Sequence, residues 1–292
     1  MEFALDSKKK YRLQHIERVR AQYESINGTG FYKWIMGDGG CDIHYGIYES
    51  PFDSISAASR RSTSTLLGLT AKYSKLGLKG KLLDLGSGNG GPAHQILLET
   101  NLHITCLNLC ELQNEQNLRR AKEIEVLDRL SIQTGSFESL PTEWSSVFDI
   151  VWSQESLCHA IDKKRVLSEA RRVIRDGGLI AFSDIMISNN VSLGEAKSFT
   201  DRNAISRLAT PADYEYWLES VGFKLLHQAN WSHHLQINFA HMLNQIQIYR
   251  PSLLEQGIES EYLDTFAKSL QNRIERVCDG VFYWGAFIGS VA

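Results

Sequence analysis

The stretch Leu82-Leu83-Asp84-Leu85-Gly86-Ser87-Gly88-Asn89-Gly90-Gly91 decides the fold of this chain. An apolar run ends in an acidic residue, glycines follow closely, and a helix-like segment begins directly after them. Glycine allows the positive φ that a sharp strand-to-helix turn requires, and its missing side chain lets a ligand lie against the backbone. Because ligands of open parallel sheets bind beyond the carboxyl ends of the strands, the stretch predicts a binding edge.

Asp84, directly ahead of the glycines, indicates which kind of ligand the turn binds. A carboxylate at this point would repel a pyrophosphate. No lysine followed by serine or threonine closes the turn, as it does in a phosphate-cradling P-loop. A sulfonium amino acid with a free ammonium group suits the carboxylate better. The turn therefore predicts a small cationic ligand.

Strands and helices alternate along the chain from Lys81 onward. Apolar runs predict strands at residues 81–85, 103–108, 130–134, 148–153, 179–184, 224–231 and 281–288. Helical patterns lie between most of these runs. The alternation predicts an α/β fold, a doubly wound and mostly parallel seven-stranded sheet of the Rossmann-like type with helices on both faces.

The segment ahead of the first strand predicts N-terminal helices. Apolar residues at helical spacing indicate helices over residues 8–26 and 54–76. Residues 27–30, Asn-Gly-Thr-Gly, are typical of a turn, and residues 31–48 are rich in aromatics and glycines without a clear period. We therefore predict a turn and an ordered loop between the two helices.

The domain organisation follows from these patterns. We predict an N-terminal helical lid or cap over residues 1–76 and a sheet domain that contains the glycine-rich turn over residues 77–292. A helical C-terminal insertion is predicted at about residues 234–279, between the last two strands. No linker-like composition separates these parts, so they are expected to pack together.

Composition and charge exclude several classes of partner. The net charge of -3 and the absence of an extended basic run argue against nucleic acid as a partner. No apolar run reaches membrane-spanning length and the N-terminus is too polar for a signal peptide, so no membrane contact and a cytoplasmic location are predicted. Five cysteines without a CxxC pair predict reduced thiols and no metal site.

Short motifs follow one another in order along nearly the whole chain. They are Phe31-Tyr32-Lys33-Trp34, Asp42-Ile43-His44-Tyr45-Gly46-Ile47-Tyr48, Cys106-Leu107-Asn108-Leu109 with Gln113-Asn114, Gly135-Ser136-Phe137, Trp152-Ser153-Gln154 with His159, Asp162 and Lys163, and Asp184 with Met186. In these motifs the sequence resembles the class I S-adenosylmethionine-dependent methyltransferases. Within that class it is most similar to the sarcosine/dimethylglycine N-methyltransferases.

The resemblance implies that S-adenosyl-L-methionine is the cofactor and S-adenosyl-L-homocysteine the product. The implied cofactor-binding residues are Asp84, Gly86, Ser87, Gly88, Asn108, Leu109, Gln113, Ser136, Phe137 and Gln154. Asn108 stands where many of these enzymes have an acidic residue for the ribose hydroxyls, and Gln113 would assist it. Gln154, at the end of the fourth strand, would lie beside the sulfonium.

Two residues are predicted to act on the methyl acceptor. A histidine is the side chain best suited to remove a proton near neutral pH. His159 follows the fourth strand directly, and Asp184 ends the predicted fifth strand beside it. We therefore predict His159 as a base that Asp184 orients, as in related sugar O-methyltransferases.

Acceptor-binding residues are predicted in two segments of the chain, one ahead of the sheet domain and one after its fifth strand. Tyr32, His44 and Tyr45 belong to the N-terminal motifs, and the loop of His44 and Tyr45 would close over the site. An acceptor of the glycine type carries a carboxylate, which an arginine should meet. Arg202 and Arg207 follow the fifth strand, where acceptor-binding residues usually lie.

The sequence leaves three functions open. The first is N-methylation of a small amino acid such as sarcosine or dimethylglycine, the small-molecule acceptor that the resemblance favours. The second is O- or C-methylation of a secondary metabolite, sugar or isoprenoid, which needs a wider apolar pocket. The third is a catalytically inactive binding protein with the same fold. A homo-oligomer is also left open.

Overall fold

A seven-stranded sheet forms the centre of the computed structural model, which describes residues 2–36, 41–75 and 77–291. The strand order is β3-β2-β1-β4-β5-β7-β6. The strands are β1 Lys79–Leu85, β2 Asn101–Asn108, β3 Leu130–Thr134, β4 Phe148–Gln154, β5 Ile174–Ile187, β6 Phe223–Asn230 and β7 Phe282–Val291. The first five strands pair in parallel, and β7 runs antiparallel between β5 and β6. The predicted mostly parallel sheet is confirmed.

Ten helices accompany the sheet in the described parts of the chain. They are α1 Glu2–Glu24, α2 Ile26–Ile35, α3 Ile55–Tyr73, α4 Gly91–Glu99, α5 Glu111–Glu123, α6 Lys163–Val173, α7 Lys197–Arg202, α8 Pro211–Ser220, α9 His233–Glu255 and α10 Ser260–Cys278. The predicted N-terminal helices and helical insertion are therefore present. Helices α9 and α10 pack on each other, and α2 packs on α9.

Local sequence explains where the main helices begin. Gly90 caps α4 with a left-handed φ of +83°, and a proline stands in the first turn of the helix. The side chain of Thr210 accepts a hydrogen bond from the Asp213 amide, and the Asp213 carboxylate accepts one from the Thr210 amide. This capping box fixes the start of α8 directly after the chain leaves β5.

Two local predictions in the N-terminal segment are corrected. The turn predicted at residues 27–30 lies inside α2, and the predicted loop at 31–48 begins with the last turn of that helix. Packing explains the difference, because Phe31 and Ile35 are fully buried and stabilise a helix that its glycines disfavour. Residues 37–40 of the predicted loop and the predicted boundary at Leu76 lie outside the described residues.

Candidate active site

The glycine-rich turn forms the carboxyl end of β1, at the point where the strand order changes direction between β1 and β4. Gly86 has a φ of +77°, and its amide donates a 2.8 Å hydrogen bond to the carbonyl of Leu107 at the end of β2. A Cβ at Gly86 would collide with the side chain of Ser156. Both the conformation and the space therefore require glycine.

A cavity of about 1060 Å³ of empty space opens beside this turn. All the residues predicted to bind the cofactor line it, namely Asp84, Gly86, Ser87, Gly88, Asn108, Leu109, Gln113, Ser136, Phe137 and Gln154. We call it the cofactor cavity. Helix α1 forms a further wall with Arg12, His15, Ile16, Val19 and Tyr23.

Hydrogen bonds hold α1 on the body of the protein. His15 Nε2 donates a 2.8 Å bond to the carbonyl of His159, and Arg12 forms a 3.0 Å ion pair with Glu138. Glu138 in turn accepts a bond from the amide of Ile161. The helix therefore lies over the carboxyl ends of the central strands.

Two amide side chains in the cofactor cavity are positioned by neighbouring residues. Asn108 Nδ2 donates a 3.1 Å hydrogen bond to Gln113 Oε1, so the predicted pair is in contact. Gln154 Oε1 accepts a 3.0 Å bond from the Thr63 hydroxyl, while its Nε2 has no hydrogen-bond partner among the described residues. An unsatisfied buried donor at a cavity wall indicates a place for a ligand acceptor.

Three carboxylates surround one imidazole on the inner side of the cofactor cavity. His44 Nε2 is 3.5 Å from Asp42 Oδ1, and His44 Nδ1 is 3.9 Å from Glu155 Oε2. Burial disfavours the imidazolium, but Asp42 and Glu155 outweigh it and the pKa of His44 is raised. Burial raises the pKa of Asp84 to about 7, against the opposing charge of His44. The excess of carboxylates favours a cationic ligand.

Asp84 is the carboxylate best placed for such a ligand. It is 2% exposed, and its Oδ2 has no hydrogen-bond partner in the described part of the chain. A buried carboxylate without a partner carries a desolvation cost that a bound ammonium or sulfonium would offset.

Glu155, the residue after β4, was missed by sequence reasoning. Its backbone adopts a φ of +46°, which is uncommon for a residue with a side chain. Oε1 accepts hydrogen bonds from the Ser183 hydroxyl at 2.6 Å and from Trp284 Nε1 at 2.7 Å. Oε2 has no hydrogen-bond partner among the residues described. The available signal was its position directly after Gln154 at a strand end.

His159 lies where the sequence placed it, at the wall of the cofactor cavity. Its Nε2 is 3.0 Å from the Tyr23 hydroxyl. Burial, with the charges of Lys163 and His15, lowers the pKa of His159 to about 4. The imidazole is therefore neutral at neutral pH and is a weak base, well below the matched pKa that general-base catalysis favours.

Asp184 and His159 share no hydrogen bond or ion pair in the described part of the chain, so the structure does not join the predicted pair directly. Its Oδ2 accepts a 2.5 Å hydrogen bond from the Tyr214 hydroxyl, and its Oδ1 accepts a 3.2 Å bond from the Cys158 amide. Strand β5 continues to Ile187, so Asp184 lies inside the sheet rather than at its edge. Burial raises the pKa of Asp184 to about 7.

A second cavity, of about 520 Å³ of empty space, lies behind the first, and we call it the inner cavity. Four residues line both cavities, namely Tyr23, Ile43, Glu155 and His159. The other inner-cavity residues are Tyr32, Met36, Tyr45, Cys158, Ile185, Phe199, Asn203, Ile205, Met242, Phe266 and Arg273. The two spaces therefore meet at one shared wall.

The residues predicted to bind the acceptor divide between these spaces. Tyr32 and Tyr45 line the inner cavity, and His44 lines the cofactor cavity. The loop of His44 and Tyr45 is fixed by α9, where Asn238 Oδ1 accepts a 3.2 Å bond from the Gly46 amide. The loop that we expected to close over the site is thus held in place by α9 in this structure.

The two predicted arginines lie outside the inner cavity. Arg207 is exposed and pairs with Asp213 at 3.3 Å. Arg202 is half-buried, lines an outer groove, and stacks over the rings of Tyr262 and Phe266. The guanidinium in the inner cavity belongs to Arg273 of α10 instead.

Arg273 could have been found from the pattern of α10. Leu263, Phe266, Leu270 and Arg273 are separated by three or four residues and are the buried residues of this helix. A charged residue at an apolar position of an amphipathic helix indicates a buried charge, which is a candidate for ligand binding.

Comparison with known proteins agrees with this architecture. A family profile described as Methyltransferase domain matches residues 83–182. The sarcosine/dimethylglycine N-methyltransferase of Halorhodospira halochloris is 31% identical over 278 residues, covering 95% of this chain and 97% of that protein. The glycine/sarcosine/dimethylglycine N-methyltransferase of Actinopolyspora halophila is 31% identical over 272 residues, 92% of this chain, but the chain spans only 46% of that protein.

A solved structure gives the same result. A Galdieria sulphuraria protein, described as a candidate sarcosine dimethylglycine methyltransferase, superposes with a TM-score of 0.83 at 25% identity, covering 90% of this chain and 97% of that one. The sheet, the glycine turn and the cavity beside it define a Rossmann-like methyltransferase. With identity above 30% along nearly its full length, the chain belongs to the family of the sarcosine/dimethylglycine N-methyltransferases.

Proposed function

We propose that this protein uses S-adenosylmethionine to methylate the nitrogen of a small amino acid such as sarcosine or dimethylglycine. The observation that carries the proposal is the meeting of a carboxylate-rich cofactor cavity with a smaller inner cavity at the wall of Tyr23, Glu155 and His159. The acceptors are those in the names of relatives that match over most of this chain.

The residues of the cofactor cavity fit S-adenosylmethionine. Asp84 and the glycine turn would hold its amino-acid end, Asn108 and Gln113 its ribose hydroxyls, and Ser136 with Phe137 its adenine. The unpartnered Asp84 Oδ2 and Gln154 Nε2 supply the unused polar atoms that such a ligand needs. When bound, the cofactor supplies a methyl group on an already activated sulfonium.

The protein's own residues mainly position the acceptor and exclude water. Tyr23 and His159 line the boundary between the two cavities, and α1 covers the outer side. The displacement needs an acceptor atom in line with the methyl group and a dry path to it. The lowered pKa of His159 favours a role as a neutral hydrogen-bond acceptor over a role as the base.

Two measurements test the proposal. S-adenosylhomocysteine should raise the melting temperature of the protein. At 100 times its dissociation constant it should add about 2.7 kcal/mol to the free energy of unfolding. A panel of sarcosine, dimethylglycine, glycine, a phenol and a sugar should then release S-adenosylhomocysteine only with the amino acids. Turnover of the phenol or the sugar alone would favour O-methylation and contradict the acceptor class. Binding without any turnover would favour an inactive binding protein.

Further properties are part of the same proposal. No helix among the described residues is both long and apolar enough to cross a membrane. We propose a cytoplasmic enzyme with a small-molecule acceptor and without a nucleic-acid partner, whose N-terminal residues 1–76 act as the cap. A homo-oligomer stays a prediction, and light scattering of the purified protein measures the oligomeric state.

A further inference from the structure

Arg273 is a buried cation whose donors are not all used. It is 3% exposed, and its Nε and Nη2 have no hydrogen-bond partner in the described part of the chain. No carboxylate among the described residues lies within ion-pair distance of it. An arginine stays charged in a protein, so this arrangement is costly unless a ligand supplies the missing acceptors.

Aromatic rings fix the guanidinium of Arg273 without using its N–H groups. The guanidinium carbon lies 4.6 Å from the ring centre of Phe199, 5.4 Å from that of Phe266 and 5.7 Å from that of Phe239. Cation–π contacts of this kind orient the planar group and partly offset its desolvation. The N–H fork stays available to a planar, bidentate acceptor such as a carboxylate.

Glu155 is an acidic residue that lines the same inner cavity as Arg273. Its Oε1 is fixed by Ser183 and Trp284, and its Oε2 has no hydrogen-bond partner among the described residues. Glu155 stands on the wall shared with the cofactor cavity, whereas Arg273 lines only the inner cavity. The negative pole is therefore the one next to the methyl donor's cavity.

Tyr45 shows that both charges act on the same space. Its pKa is raised by burial, and the charge of Arg273 lowers it while that of Glu155 raises it. Tyr45 lines the inner cavity together with Tyr23 and Tyr32, so aromatic rings form part of the wall of this cavity. Aromatic faces also suit a methylated ammonium.

We propose that the inner cavity recognises amino-acid zwitterions, with Arg273 binding the carboxylate of the acceptor and Glu155 accepting a hydrogen bond from its protonated amine. Because only a nitrogen with a free lone pair can attack the methyl group, the amine proton passes to Glu155, whose pKa is raised by burial, before the transfer. This inference rests on the proposed function, because it takes the inner cavity as the acceptor site. It assigns the carboxylate to Arg273 instead of the predicted Arg202 and Arg207. It also places the amine, rather than the carboxylate, against the cofactor cavity.

The carboxylate pole is tested with Arg273→Met and the matched control Arg202→Met. Binding of dimethylglycine and of its primary amide is measured by calorimetry on protein loaded with S-adenosylhomocysteine. Arg273→Met should weaken the binding of dimethylglycine about 10- to 100-fold and the binding of the amide less than about 3-fold. Only the carboxylate of the acid pairs with the charged guanidinium. Arg202→Met should change neither by more than about 3-fold, and Arg273→Lys should restore part of the loss.

The amine pole is tested with Glu155→Gln. The probe pair is dimethylglycine and 3-methylbutanoate, its carbon isostere without the amine. Glu155→Gln should weaken the binding of dimethylglycine about 10-fold and leave the affinity for 3-methylbutanoate unchanged. Retention of a melting-temperature increase with S-adenosylhomocysteine shows that each variant is folded.

The outcomes separate this inference from the proposed function. Dimethylglycine binding that depends on Arg273 but leads to no methyl transfer would overturn the proposed function alone. Methylation of dimethylglycine with an unchanged KM in Arg273→Met would overturn the zwitterion site alone. If the loaded wild-type protein does not bind dimethylglycine, both are wrong.

Discussion

The carboxyl end of β1 and the end region of β5 each carry a buried aspartate, Asp84 and Asp184. Burial raises the pKa of both to about 7. Their surroundings differ. Asp84 has an unpartnered oxygen at a cavity wall, whereas both oxygens of Asp184 accept hydrogen bonds, from Tyr214 and Cys158. A raised pKa alone therefore does not distinguish the two carboxylates, and the unpartnered oxygen at a cavity wall is the observation that favours Asp84 as a ligand-binding residue.

The largest expected effect concerns ligand affinity. Asp84→Asn should weaken the binding of S-adenosylhomocysteine about 100-fold, since it removes the buried carboxylate that is proposed to meet the ammonium group of the ligand. Asp184→Asn should keep the dissociation constant within about 3-fold, because Asp184 does not line the cofactor cavity. Calorimetric titration of both variants measures the two dissociation constants. Similar losses of affinity in the two variants would mean that Asp84 and Asp184 do not differ in their role.

Stability gives the next largest effect. Tyr214→Phe should lower the free energy of unfolding by about 1–3 kcal/mol, because it leaves Asp184 Oδ2 buried without a donor. Urea denaturation measures the loss. Affinity for S-adenosylhomocysteine should stay unchanged in this variant. A loss of affinity at unchanged stability would place Asp184 in the site after all.

The pH dependence of binding is expected to be smaller. Between about pH 5.5 and pH 7 the ammonium of S-adenosylhomocysteine is charged, while Asp84 is mostly protonated in the free protein. The dissociation constant should therefore fall by up to about 10-fold per pH unit as pH rises. His44 titrates in the same cavity, so Asp84→Asn, which keeps His44, is the control. An equal slope in that variant would contradict the role of Asp84.

The smallest effect is a gain of stability in the ligand-free protein. The folded-state pKa of Asp84 lies above its unfolded value, so the folded state holds a proton that the unfolded state has lost, and stability falls as pH rises from about 4 to 7. Asp84→Asn should raise stability near pH 8 by about 1–2 kcal/mol. Near pH 3, below both pKa values, the difference should vanish. A loss of stability near pH 8 would mean that the carboxylate already has a partner.

The cofactor side was accessible to sequence reasoning because its residues are coded locally. Asp84, Asn108 and Gln154 lie at the carboxyl ends of parallel strands. These ends meet at one edge of the sheet regardless of the conformation of the connecting loops. The glycine pattern and the apolar runs placed the strand ends at one edge, and the resemblance to the methyltransferases supplied the remaining residues of the cofactor cavity.

The acceptor side depends on packing that local patterns do not contain. Arg273 reaches the inner cavity because α10 packs on α9 and turns its buried face inward, which requires the tertiary arrangement. Asp184 was placed at a strand end because β5 was predicted to stop there. Three further residues pair with β7, so the side chain lies within the sheet.

The position of β7 has a consequence for biosynthesis. This strand enters the sheet between β5 and β6, and its Trp284 holds Glu155, while Arg273 comes from the helix just before it. A nascent chain that has emerged through β5 already contains every residue predicted for the cofactor. It still lacks Arg273 and the support of Glu155. Since chains emerge from their N-termini, the proposed acceptor site is completed later than the edge of the sheet that carries the glycine-rich turn.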